Sequence, residues 1–182
     1  MSRVFLAVPL ADETRHALAA AIRQALPDGV PGRPVRPQEW HLTLRFLGEV
    51  DAPTLDRVMA AMDGADLGPR FTIRLSGLGA FPKASAAQVL WVGMMEGAER
   101  VTLLAERADE ALVAAGLEPQ DRPYRPHLTV TRLRPSESVR HLIDGAGTID
   151  VRWKVDRVVL YETRLRRGGA KYRELEEFPL GE

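Results

Sequence analysis

The tripeptide His-Leu-Thr occurs twice, as His41-Leu42-Thr43 and His127-Leu128-Thr129, each time at the head of a β-rich run, with the two starts 86 residues apart. That distance is too long for a solenoid period. It divides the chain into two halves that each hold a helix and one such strand. The expected fold is therefore α+β and bilobal: two pseudo-symmetric antiparallel sheets, helices on the outside, and a central cleft. With 182 residues the chain can bury a core without covalent staples, as one two-lobed domain spanning 1–182.

The hydrophobic periodicity supplies the elements. Val4 to Val8 reads as a first strand, followed by a helix from Thr14 to Leu26 with Leu18, Ala19, Ile22 and Leu26 at helical spacing. Pro31 to Pro37 reads as a connector, Trp40 to Leu47 as a strand and Asp51 to Met62 as a helix. Phe71 to Leu75 and Gln88 to Val92 alternate as paired strands around a Gly77–Pro82 loop. A helix from Glu99 to Ala115 and the His127 to Thr131 strand follow, then a short helix from Ser136 to Ile143 and a strand from Asp156 to Glu162. Arg164 to Lys171 is expected as a turn with Gly168-Gly169 at its tip, and Tyr172 to Phe178 as the returning strand.

Lysine plus arginine (25) balance aspartate plus glutamate (25), so any anion-binding region must be local rather than global. Cysteine is absent, which excludes disulfides, thiolate metal sites and a cysteine nucleophile. The N-terminal apolar run is too short for a signal peptide, and nothing approaches the roughly 20 apolar residues of a membrane span. The expectation is a cytoplasmic monomer without membrane contact.

On a strand, His at i and Thr at i+2 share a face while the intervening leucine points into the lobe. Two such strands facing one cleft would bring together two imidazoles and two hydroxyls. This set suits phosphodiester cleavage without a metal: one imidazole takes a proton from water, the other gives one to the leaving alkoxide, and the hydroxyls bind phosphoryl oxygens. Arg45 lies at i+4 from His41, on the histidine's face in a regular strand. Arg132 lies at i+5 from His127 and needs a bulge to reach the cleft.

A single His-x-Thr is a weak signal. Only four histidines exist, however, and two of them head identical triplets; His16 and His141 read as surface helix residues. Neither motif offers a second ligand at a familiar zinc spacing, so no metal is expected. The basic run Arg164, Arg166, Arg167, Lys171 and Arg173 reads as solvated charge. Trp40, Phe46 and Tyr124 flank the motifs and could stack on a base, although aromatic residues beside strands are mostly core. Phe46, at odd spacing from His41, should point away from the cleft unless the strand is distorted.

Trp40 to Val50, Val89 to Gly93, Arg125 to Arg132, Leu160 to Thr163 and Tyr172 to Gly181 together resemble the two-histidine phosphoesterase superfamily, specifically its RNA 2',3'-cyclic phosphodiesterases, also called 2'-5' RNA ligases. The resemblance implies hydrolysis of a terminal 2',3'-cyclic phosphate to a 2'-phosphomonoester with no cofactor, on RNA ends as partners. It also implies a reversible, ATP-independent joining of RNA ends. Carried over by motif, His41 resembles the proton donor and His127 the acceptor that activates water. Thr43, Thr129 and Arg132 resemble the phosphate-binding groups, and Arg45 and Tyr124 complete the expected substrate-binding set. Tyr124 stands where that family usually has another aromatic residue, often Phe. Two alternatives remain open: small cyclic nucleotides or an ADP-ribose cyclic phosphate as substrate, and a non-catalytic RNA- or nucleotide-binding module.

Overall fold

The alternating runs form strands, most of them longer than their sequence pattern suggests. The computed structural model describes residues 1–166 and 169–182, leaving aside the side chains of 165–169. Chain order is β1 (Ser2–Pro9), α1 (Asp12–Ala25), β2 (Arg33–Pro34), β3 (His41–Val50), α2 (Ala52–Asp63), β4 (Phe71–Phe81) and β5 (Ala87–Glu96). Then come α3 (Ala98–Ala114), β6 (Leu128–Glu137), α4 (Arg140–Gly145), β7 (Val151–Val155), β8 (Arg157–Arg166) and β9 (Gly169–Pro179). The strands pair antiparallel in a four-stranded sheet, β3-β1-β8-β9, and a five-stranded sheet, β2-β6-β5-β4-β7. The α+β, two-sheet architecture is the one expected.

Alternation along β1 separates two environments. Val4, Leu6 and Val8 join Leu42, Leu44, Val158 and Leu160 in the main core, while Phe5 and Ala7 join Val159, Tyr161 and Tyr172 in a small cluster on the opposite face. The helices bury their apolar stripes in the main core: Leu18 and Ile22 from α1, and Val101, Leu104, Ala105, Ala108 and Leu112 from α3. They also cross between sheets. Helix α1 leaves the four-stranded sheet and abuts β7, whereas α3 leaves the five-stranded sheet and abuts β3. One contiguous core therefore runs through both lobes.

Several expectations need correction. The lobes are not the halves of the sequence, because the C-terminal hairpin β8–β9 completes the N-terminal sheet and β2 crosses into the other one. The Gly77–Pro82 stretch is not a loop; β4 runs through it to Phe81. Its glycines serve the strand. The ring of Trp91, paired with Gly79 across the ladder, lies where a Cβ on Gly79 would sit, 2.2 Å away. The short helix begins at Arg140, because β6 continues to Glu137. The edge strands β2 and β7 had no distinct signal, and the Arg164–Lys171 turn is largely strand, with β8 ending at Arg166 and β9 starting at Gly169. Arg167 and Gly168 lie outside the described residues. Arg164 and Arg173 both pair with Glu162. Among the described residues no helix is long and apolar enough to cross a membrane.

Candidate active site

Both His-Leu-Thr motifs open onto one cleft cavity of about 1260 Å³, lined by His41, Thr43, His127, Thr129 and Arg132 among others. The two strands that carry them distort in the same way. In the β1–β3 ladder Ala7 pairs with Thr43 and Leu6 with Arg45, leaving Leu44 as an extra residue. In the β5–β6 ladder Trp91 pairs with Thr129 and Leu90 with Thr131, leaving Val130 as the extra residue. Each bulge lies three residues after its histidine and inverts the alternation beyond it.

The inversion decides which residues reach the cleft. Arg132 arrives there, exposed, on the face of His127 and Thr129, as a bulge would require. Thr131 turns inward instead, fully buried, and donates to the Pro31 carbonyl at 2.6 Å. In the first motif the same inversion exchanges the roles expected of two neighbours. Arg45 turns toward α3, is 6% exposed, and spends its guanidinium on the Asp109 carboxylate and the Glu118 carbonyl. Phe46, the counterpart of Arg132 by position, turns into the cleft, with its ring 5.7 Å from Phe5 and 66% exposed. Sequence alternation alone had it pointing away.

Each imidazole is held in the same way. Nδ1 of His41 donates to the Glu39 carbonyl at 2.8 Å, and Nδ1 of His127 donates to the Arg125 carbonyl at 2.7 Å. Because a carbonyl only accepts, the Nδ1 proton is fixed and Nε2 is left as the basic nitrogen of each neutral ring. Aromatic walls hold the rings in place: Phe5 at 4.8 Å and Tyr172 at 5.0 Å from His41, Phe81 at 4.9 Å and Trp91 at 6.3 Å from His127. Burial pushes His41 down to about 4, with Arg132 and His127 adding to the fall and the Glu39 carbonyl opposing it. Burial lowers His127 as well, aided by Arg132 and opposed by the Arg125 carbonyl.

The segment entering the second motif is stitched to the first. Tyr124 is half-buried and donates its hydroxyl to the Thr43 carbonyl at 2.8 Å, and Gln120 Nε2 donates to the Leu44 carbonyl at 3.4 Å. Together with the bond from Arg45 to Glu118, these contacts join the loop between α3 and β6 to the bulge of β3. Among the described residues no three His, Asp or Glu side chains converge as a metal-ion cage.

A family model described as LigT like Phosphoesterase matches the chain in two segments, residues 8–91 and 92–172. The chain belongs to the LigT-like phosphoesterase family. Each segment carries one of the two bulged motifs, in keeping with the internal symmetry. A protein of Aeropyrum pernix named RNA 2',3'-cyclic phosphodiesterase is 32% identical over 153 residues, 82% of this chain and 86% of the relative. One of Thermus thermophilus with the same name is 35% identical over 186 residues, covering 98% and 90%. The solved structure of Escherichia coli LigT complexed with 3'-AMP superposes with a TM-score of 0.79 at 26% identity, covering 100% of this chain and 99% of that one.

Proposed function

We propose that this phosphoesterase hydrolyses the 2',3'-cyclic phosphate at RNA ends to a 2'-phosphomonoester, using His127 as base and His41 as acid. The observation that carries this reading is the pair of imidazoles with matched carbonyl anchors and free Nε2 atoms in one cleft. Water gives its proton to His127 Nε2 as its oxygen attacks phosphorus. The P–O3' bond breaks, and His41 Nε2–H delivers a proton to the departing O3'. Thr43 and Thr129 donate to the non-bridging oxygens, and the Arg132 guanidinium offsets the charge that builds on them. The names of the relatives, RNA 2',3'-cyclic phosphodiesterase, support the substrate class.

Because burial disfavours a charged ring at His41, the ring takes up its working proton from solvent when the anionic substrate binds and its phosphate stabilises the imidazolium. The exposed face of Phe46 suits stacking with the terminal base, a contact open to any of the four because every base offers a π-face. A 5'-hydroxyl in place of water would give the 2'-5' joining reaction. Arg45 holds the bulge in place, and Tyr124 spans the two motifs. The active unit is taken to be the single chain acting in the cytoplasm.

The test is a product assay on an oligonucleotide ending in a 2',3'-cyclic phosphate, with EDTA present and the monophosphates separated. A 2'-monophosphate product is expected. A 3'-monophosphate would overturn the assignment of the leaving oxygen, and no turnover would overturn the reading as a whole.

A further inference from the structure

The net-neutral chain keeps a cationic cleft. Among the described residues, Arg33, Arg36, Arg45, Arg122, Arg125 and Arg132 line it, against the single carboxylate of Glu39. Three of these charges are committed locally: Arg36 to Glu39, Arg45 to Asp109, and Arg122, at 3.9 Å, to Asp121. Arg125 lies over the Phe81 ring at 5.9 Å. Among the described residues no carboxylate pairs with Arg33, Arg125 or Arg132.

Arg33 stands apart because of where the fold puts it. The two-residue strand β2 pairs Arg33 directly opposite Arg132, so two exposed guanidiniums share one face of an antiparallel ladder. Like charges placed opposite one another destabilise a sheet pair. The pairing is nevertheless tightly built. Val35 N donates to the Val130 carbonyl at 2.8 Å, and Thr131 holds the Pro31 carbonyl at 2.6 Å. Gly32, at φ +73°, brings the backbone so close that a Cβ there would lie 2.6 Å from the Arg132 carbonyl. Several local contacts thus hold a repulsive pair at the mouth of the cleft, an arrangement that an anion between or beside the two forks would relieve.

A cyclic phosphate is a monoanion with two non-bridging oxygens, and Thr43, Thr129 and Arg132 already answer them. Arg33 is surplus to that group. Resting on the function proposed above, we infer that Arg33 binds the next phosphate, on the 5' side of the terminal nucleotide, so that the cleft selects oligonucleotide ends over mononucleotides. Arg132 takes the reacting phosphate and Arg33 the internucleotide one, as neighbouring forks on one short stretch of sheet.

The test compares adenosine 2',3'-cyclic phosphate with a diadenosine carrying one internucleotide phosphate and the same cyclic end. The wild-type chain should prefer the dinucleotide. Arg33→Ala should lower the ratio of kcat/KM values, dinucleotide over mononucleotide, about tenfold, mainly through KM. The dependence of log kcat/KM on log salt for the dinucleotide should become shallower by about 0.7, the release expected for one phosphate contact on a single strand. Arg33→Lys should recover most of the salt slope and less of the ratio, since lysine keeps the charge without the fork. Thermal midpoints of both variants should equal or exceed the wild type, because a repulsion is removed or loosened. An unmoved ratio in Arg33→Ala, or a wild-type chain that turns over both substrates equally, would overturn the inference while leaving the proposed reaction standing. Failure of the wild type on both substrates would instead overturn the reaction itself.

Discussion

The Tyr124 hydroxyl donates to the Thr43 carbonyl at 2.8 Å, so a residue three before the histidine of the second motif grips a residue two after the histidine of the first. The two motifs are thereby tied across the cleft by a side chain that, among the described residues, hydrogen-bonds to neither imidazole. Burial pushes the Tyr124 phenol well above its ordinary value, which keeps it a neutral donor across the working range.

Tyr124→Phe removes that donor and little else, and the Thr43 carbonyl loses the hydrogen bond it accepts in a half-buried place. Unfolding free energy should fall by about 1 kcal/mol in chemical denaturation. If the tie sets the distance between the histidines, kcat should drop several-fold with KM nearly constant. A kcat equal to wild type would show that packing of the aromatic ring alone fixes the spacing.

The motifs were legible because alternation is a local property: His41 with Thr43 and His127 with Thr129 needed no partner strand to be placed on one face. What lay beyond them depended on register, which belongs to two strands at once. The bulge at Val130 follows from the sequence only if Arg132 is to reach the cleft, whereas nothing local to Leu44 calls for its counterpart. Regular alternation consequently favoured Arg45 over Phe46, and the structure reverses the two. The repeat itself held the missing clue: if His127 plus five reaches the cleft, so does His41 plus five. The crossing of β2 into the second sheet and of β8–β9 into the first left no local mark, since neither glycine content nor periodicity records which edge a strand joins. Arg33, on that short crossing strand, was for the same reason not a sequence candidate.

The division of labour between the histidines can be tested through the leaving group. A general acid matters in proportion to the basicity of the departing oxygen, whereas a base that activates water is needed whatever leaves. On a cyclic phosphate end, His41→Ala and His127→Ala should each lower kcat by about 10²- to 10⁴-fold. On a 3'-deoxynucleoside 2'-(4-nitrophenyl phosphate), which keeps the P–O2' ester and sets a phenolate that needs no proton in the place of O3', His41→Ala should recover most of its rate and His127→Ala should not. Recovery by His127→Ala instead would exchange the two roles, and equal recovery would mean that neither histidine is dedicated to one proton.

Stability should also report on His41. Its folded-state value of about 4 lies below the ordinary 6.5, so between these limits the unfolded chain binds more protons than the folded one. By linkage the contribution to stability is complete above about pH 6.5 and is lost progressively as pH falls toward 4, for a total of about 3 kcal/mol. His127, lowered in the same direction, and the depressed carboxylates of Asp51, Asp150 and Glu162 lose stability with the same sign. The informative quantity is therefore the difference between wild type and His41→Asn, whose side-chain amide can still donate to the Glu39 carbonyl. Chemical denaturation from pH 7.5 to 4.5 should show the wild type losing more stability than the variant, with the gap opening below pH 6.5. Added inorganic phosphate should narrow it, because an anion in the cleft favours the charged ring. Parallel curves would place His41 in a wetter setting than its contacts with Phe5 and Tyr172 imply.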